Sequence, residues 1–428
     1  MLPVSLTQIY KRPKLALLEL AGYAALLTVM AIRSEHIGTT YLAAMACELV
    51  LCAIMPLGGF VCAVFMTIPF TAVLKLPVET FSYMTLLQLF LVVRSFIDDK
   101  RINATAFILI ALGCIITQIV PFITFGQTFS NILLLIFNVL TFYCTCRLTA
   151  DNRINVGHLY LAFTVGVLTA GLLSLNYNIS VTEYNDYRFS GLWTDPNFWG
   201  MFCLLGIITS LMTGFRKPVL FVFLAPIIFN LAYQGFLTLS RTFIVVCALM
   251  FFAISWAYLK KTFWVNLVIV GILALAVYYG LPFAEEVFNE RGFSENDVSN
   301  GRFESSYSYL RFFFEHDKAL FGGLGYNNGW HVNELFSISQ VITHNSYVDI
   351  LCDFGIIGNL LGLTYLTCKK RNFKMLMRNI YSMQGIAFCV LLFYMGTLSM
   401  LRYAFTFLFA ALFIGKSFKS NTSLQLSK

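Results

Sequence analysis

The sequence predicts an all-α, polytopic membrane protein with about twelve to fourteen transmembrane helices and one large extracytoplasmic loop that contains short helices. Three observations carry this expectation. Hydrophobic residues make up 58% of the 428 residues, charged residues 12%, and the mean hydropathy is +0.76, whereas a soluble domain is about 45–50% apolar and about 25% charged. The apolar residues fall in unbroken runs that can cross a hydrocarbon core as helices, not in the short alternating segments of a barrel. Lys and Arg collect in alternate connecting loops. A chain this apolar excludes a cytosolic enzyme, a nucleic-acid-binding domain and a disordered protein. The net charge of +8 is the basic excess expected of cytoplasmic loops, so no nucleic-acid partner is expected.

Along the chain, the runs at 15–32, 40–57, 58–75, 81–97, 104–124, 130–147, 157–175, 198–214, 217–235, 238–259, 262–281, 346–368, 381–398 and 401–417 qualify as spans. The tight pairs at 40–75 and 381–417 set the lower bound of twelve. Residues 1–281 thus form an N-terminal block of about eleven helices, 282–345 the large outer loop, and 346–428 the C-terminal helices and a cytoplasmic tail. Lys11, Arg12 and Lys14 run straight into the first helix, so no cleavable signal peptide is expected. With both termini in the cytoplasm, nine of the 29 basic residues fall outside: Arg33, Lys75, Arg188, Arg241, Arg291, Arg302, Arg311, Lys318 and Arg402. That bias supports the orientation.

Most of the outer nine are arginine. A guanidinium grips phosphate through two parallel hydrogen bonds, which Lys does not, so this face suits an anionic partner; ordinary surface ion pairs are the alternative. The 11 cysteines lie in or beside apolar runs and read as packing residues, not disulfides or zinc ligands. Glu19 and Glu48 fall inside predicted helices and must face the bundle interior.

Two outer segments are long enough for chemistry, 176–197 and 282–345. In the second, a helix is expected over 301–317, capped by Asn300 and followed by a Gly-rich turn at 321–325. The segment ITHNSYVDILCDFGIIG places His344 at the start of a membrane helix, beside Asn345 and Tyr347. An imidazole there can take a proton from a hydroxyl near neutral pH. Asp349 and Asp353 are four residues apart and share a helix face. The alternative is a helix-capping histidine with two acids in structural hydrogen bonds.

In YRFSGLWTDPNFWG, Arg188 stands in an outer loop and Asp195-Pro196-Asn197 has the form of a helix start. Ser240-Arg241-Thr242 opens another helix; an arginine there opposes the macrodipole and points to an anion or an acidic partner. Arg302 opens the loop helix and Arg311 lies within it. FGGLGYNN (321–328) lacks the Lys-Ser/Thr of a P-loop and reads as a turn. Neither a D-x-D pair nor H-E-x-x-H occurs in the outer loops. The expectation is chemistry driven by Arg and His, with no metal and no cofactor. Tyr307, Tyr309, Tyr326, Trp330 and Trp193 read either as platforms for sugar faces or as interfacial anchors.

In this order, these pieces resemble the O-antigen polymerase/O-antigen ligase family of bacterial membrane glycosyltransferases. The resemblance rests on Arg188, Gly191, Pro196 and Asn197, on Leu239-Ser240-Arg241, and on Gly301-Arg302 with FGGLGYNN. Above all it rests on HNSYVDILCDFGIIG, similar to the family's H-N-x-Y-x-x-x-L-x-E-x-G-x-x-G. It covers 188–358, and Asp353 stands where Glu is commoner, keeping the charge with a shorter reach. The resemblance implies a GT-C-like helical architecture in the bacterial inner membrane with a periplasmic active site. It implies an undecaprenyl-diphosphate-linked oligosaccharide donor, a glycan acceptor and metal independence, and leaves room for a chain-length regulator protein.

On this reading Arg188 and Arg302 hold the diphosphate and His344 is the base. Arg241, Asn345, Tyr347, Asn197 and Arg311 contact substrate, and Asp349 and Asp353 support them. A polymerase of lipid-linked repeat units is the leading expectation. A ligase acting on lipid A-core is the near alternative, and a polysaccharide-precursor flippase the alternative of another class.

Overall fold

The computed structural model describes residues 13–76, 82–99, 102–177, 188–216, 221–258, 302–336, 343–368, 377, 379–380 and 382–419. Among them there are sixteen α-helices and no strand. In chain order these are α1 (Pro13–Ile32), α2 (Thr39–Ile54), α3 (Leu57–Thr67), α4 (Tyr83–Asp98), α5 (Ala104–Thr124), α6 (Phe129–Ala150), α7 (Val156–Tyr177) and α8 (Pro196–Arg216). Then come α9 (Phe221–Leu237), α10 (Arg241–Tyr258), α11 (Arg302–Glu315), α12 (Asp317–Gly322), α13 (Gly329–Phe336), α14 (Ser346–Cys368), α15 (Met383–Met395) and α16 (Ala404–Lys419).

Five of these, within α5, α6, α7, α8 and α14, are long and apolar enough to cross a membrane, and seven shorter ones are apolar. The protein is an all-α, multi-pass membrane protein. Helices α5 and α14 coincide with the runs predicted at 104–124 and 346–368. The span at 262–281, Asn300 and the first part of the large loop lie outside the described residues. Side chains Ile108, Leu109, Ile116 and Ile123 of α5 are exposed, as residues facing lipid are. The ten cysteines whose side chains are described are free.

The chain divides into two compact units, 1–112 with 133–238 and 403–428, and 113–132 with 239–402. In the first unit, α7 lies against α3 because Gly166 lets the backbones meet; a Cβ there would sit 2.3 Å from the Met66 carbonyl oxygen. Small residues at such crossings are the means by which membrane helices approach. Polar side chains then join neighbours inside the bundle. The hydroxyls of Thr164 and Thr209 link α7 to α8, and Gln88 Nε2 donates to Asn138 Oδ1 at 2.7 Å. Tyr83 OH donates to Glu48 Oε2 at 2.5 Å, so Glu48 does face the interior. Trp193 is buried, stacks on Phe198 and donates its Nε1–H to the Pro69 carbonyl at 3.1 Å. It is a packing residue, which corrects its reading as a sugar platform or an interfacial anchor.

In the second unit, α11, α12 and α14 pack together around Tyr309, Phe312, Phe313, Leu324 and Cys352. The helix predicted over 301–317 is broken at His316, which is extended (φ −120°) and precedes α12. The ring of His316 stacks on Phe312, and Nδ1 lies 2.9 Å from the Phe312 carbonyl oxygen. Helix α14 is itself interrupted at Gly355 (φ 61°, ψ −174°). The Gly-rich turn after α12 fills that break. Leu324 N–H donates to the Cys352 carbonyl (2.8 Å) and Gly325 N–H to the Asp353 carbonyl (3.2 Å). Asn359 Nδ2 covers the Gly355 carbonyl at 2.6 Å. Carbonyls released by a helix break in an apolar phase must find such donors.

Candidate functional site

The second unit holds a polar cavity of about 50 Å³ whose walls include Tyr309, Thr343, Asp349, Asp353, Ser399 and Arg402. A space of this size holds a few waters or hydroxyl groups. Helix α14 contributes Asp349 and Asp353 to it. Asn345 caps that helix: Oδ1 accepts the N–H groups of Tyr347 (3.0 Å) and Val348 (3.3 Å). The capping role considered for His344 therefore belongs to its neighbour.

His344 occupies the left-handed region at φ 51°, which costs a non-glycine residue about 1–2 kcal/mol. Such strain persists where surrounding bonds over-determine it, and it clusters at functional sites. The bonds are present on both sides. Thr343 Oγ1 donates to Asp349 Oδ1 at 2.5 Å and accepts from Asn345 N–H at 3.2 Å. Ser306 of α11 donates to the Thr343 carbonyl at 2.8 Å. Ser346 Oγ donates to the Leu398 carbonyl (2.6 Å) and accepts from Met400 N–H (2.7 Å). The imidazole is partly buried.

Asp349 and Asp353 both line the cavity, as their spacing predicts. Asp353 is 6% exposed and accepts from Asn327 N–H at 3.4 Å. Tyr326 is buried and donates to the Leu401 carbonyl at 2.5 Å. Tyr309 is 4% exposed; burial, and then the charge of Asp353, hold its phenol well above the ordinary tyrosine range. At neutral pH it is a neutral donor. Thus the cavity offers two carboxyl groups, a guanidinium and several hydroxyls. Among the described residues no three His, Cys, Asp or Glu side chains gather as metal ligands do.

The remaining candidates fall elsewhere. Tyr347 is exposed and donates to the Leu392 carbonyl at 2.8 Å. Arg311 is 65% exposed and pairs with Glu315 at 2.7 Å, on the face of α11 away from buried Tyr309. Arg302 stands in the first turn of α11, one turn before Ser306; its side chain lies outside the described residues. Arg241 begins α10, whose start is capped by Ser240, with Phe243 N–H donating to Ser240 Oγ at 3.3 Å. Arg188 and Asn197 belong to the first unit. Arg188 Nε donates to the Thr238 carbonyl at 2.9 Å. Asn197 is buried, and its side chain donates to Asp195 Oδ1 at 2.8 Å within the cap of α8.

Residues 227–363 match the family model described as O-Antigen ligase. The likeness to the O-antigen polymerase/ligase family lies in that segment, about a third of the chain. Enzymes of the family are glycosyltransferase-like. No curated protein matches the chain. The matched O-antigen ligase segment runs from α9 into α14 and includes Arg241, Arg302, Arg311 and everything from His344 to Asp353. It stops short of Ser399 and Arg402, which sequence reasoning also passed over as site residues. Their only signal was one arginine at the start of the apolar run 401–417, counted as an outer charge. Thr343 was missed because a threonine beside a histidine carries no recognisable spacing.

Proposed function

We propose that this chain is a membrane glycosyltransferase that polymerises undecaprenyl-diphosphate-linked oligosaccharide repeat units on the extracytoplasmic side of the bacterial inner membrane. The observation that carries the reading is the coincidence of the family segment with a strained histidine whose chain neighbour Thr343 lines a polar cavity. In the reaction, the bond between sugar C1 and the phosphate oxygen breaks as an acceptor hydroxyl attacks C1. The electron pair leaves with the diphosphate, and the acceptor proton passes to the imidazole of His344. Negative charge developing on the diphosphate calls for fixed cations, which preorganised arginines supply. Arg302 is assigned that role, and Arg188 receives it from the family resemblance. Arg241, Asn345 and Tyr347 remain proposed substrate contacts. A glycan acceptor and a chain-length regulator are the proposed partners.

The description of the matched family favours a second reading, transfer of the same lipid-linked glycan to lipid A-core. One experiment separates the two. Purified protein in detergent is supplied with lipid-diphosphate-linked repeat units isolated from cells lacking it, in the presence of EDTA. A ladder of products is expected; product formation only after addition of lipid A-core establishes the ligase instead. His344→Ala is expected to accumulate normally in the membrane and to make at least about 100-fold less product. Wild-type product from that variant overturns the assignment of the base, and a flippase is expected to be indifferent to it.

A further inference from the structure

The turn between α15 and α16 lies outside the matched segment, yet it reaches the base of the His344 turn. Ser399 Oγ is 3.2 Å from Thr343 Oγ1. Thr343 has one hydroxyl proton, and the 2.5 Å contact to Asp349 Oδ1 takes it. The Thr343 oxygen therefore serves as acceptor toward Ser399 and toward Asn345 N–H. Arg402 faces the same cavity as Asp349 and attracts its carboxylate. Two backbone bonds through Ser346 Oγ fasten residues 398 and 400 to the start of α14. Polar groups thus run from Arg402 to the strained residue: Arg402 shares the cavity with Asp349, Asp349 is hydrogen-bonded to Thr343 and Thr343 to Asn345, with His344 held between the last two.

We propose that Arg402, acting through Asp349 and Thr343 with Ser399 as a brace, is a positioning residue that sets the left-handed turn presenting His344. The arrangement rests on the reading of His344 as the base. The turn does not require a charged residue for its hydrophobic packing, because its own Leu398 and Met400 are buried. A guanidinium lining the same small cavity as a carboxylate favours one position of that carboxylate, and through it of the hydroxyl that pins the turn. A misplacement of the order of 1 Å at such a base costs about 100-fold in rate.

The test compares Thr343→Val, Thr343→Ser, Ser399→Ala, Arg402→Gln and Arg402→Lys with wild type and His344→Ala. Each is assayed with isolated lipid-diphosphate-linked repeat units over a range of donor concentrations, alongside thermal unfolding in detergent. Thr343→Val and Arg402→Gln are expected to lower kcat about 10- to 100-fold with the donor KM unchanged. Ser399→Ala is expected to have a smaller effect, and Thr343→Ser, which keeps the hydroxyl, to recover most of the rate. Arg402→Lys is expected to recover part of it.

Wild-type kcat in Thr343→Val and Arg402→Gln, with His344→Ala inactive, overturns this proposal and leaves the base assignment standing. An active His344→Ala overturns both. A loss that tracks donor KM makes Arg402 a substrate contact instead. A loss matched by lowered melting temperatures in all variants, with no rescue by Thr343→Ser, makes the network purely structural.

Discussion

At the scale of single residues, a charged side chain in a mostly apolar protein is defined by the geometry it satisfies. Arg188 illustrates this. Its Nε–H already holds the Thr238 carbonyl at 2.9 Å, while Phe189 N–H holds the Leu237 carbonyl at 3.0 Å, so the loop is tied to the end of α9 through both main chain and side chain. A lysine keeps the charge but has no nitrogen at the Nε position and no planar fork. Arg188→Lys is therefore expected to lose an anchoring bond worth about 1–2 kcal/mol and, under the proposed function, the two-pronged grip on diphosphate. The expected outcome is normal abundance in the membrane with product chains severely shortened, read by gel analysis of the surface polysaccharide. Near-normal chain length argues against a diphosphate role at this position. The same distinction applies to Asn197 and Arg311, whose visible partners, Asp195 and Glu315, are local.

At the scale of elements, the governing feature is the joint between the Gly-rich turn and the broken helix α14. A Cβ on Gly323 would lie 2.3 Å from the Asp353 carbonyl oxygen, and one on Gly355 would lie 2.5 Å from Gly323 N. Both glycines also have positive φ, 86° and 61°. Either substitution by alanine combines backbone strain with a collision against main chain that cannot move aside. Gly323→Ala and Gly355→Ala are each expected to destabilise the protein by at least about 2 kcal/mol, visible as a lowered melting temperature in detergent. An unchanged melting temperature in both variants refutes the joint.

Such joints explain what the sequence revealed and what it did not. Long apolar runs mark helices directly, which is why 104–124 and 346–368 were legible to the residue. The i, i+4 spacing of Asp349 and Asp353 likewise showed that they share a wall. A glycine inside an apolar run carries no sign that the helix breaks there. The link from His344 to Ser399 and Arg402 spans more than fifty residues of chain and arises only when α14 and α15 come together in the fold. The break at His316 depends on a ring stacking one turn back, and local periodicity does not record it.

At the scale of the whole molecule, the decisive expectation concerns the side of the membrane. The proposed donor presents its diphosphate at a lipid boundary, so the loop helices and the His344 turn must sit on the face where the repeat units are displayed. Under the orientation proposed from the Lys and Arg distribution, that face lies outside the cytoplasm and the C-terminal tail within it. Tyr307 offers a direct probe, because it is 67% exposed on α11. The native cysteines of the described helices are mostly buried in apolar surroundings, which keeps their background low toward a water-soluble reagent. In intact spheroplasts, a membrane-impermeant maleimide is expected to label Tyr307→Cys at once. Ser427→Cys, in the tail, is expected to react only after the membrane is opened. The reverse pattern would put the candidate site on the cytoplasmic face, where an extracytoplasmic polymerase cannot work, and the proposed function would fall with it.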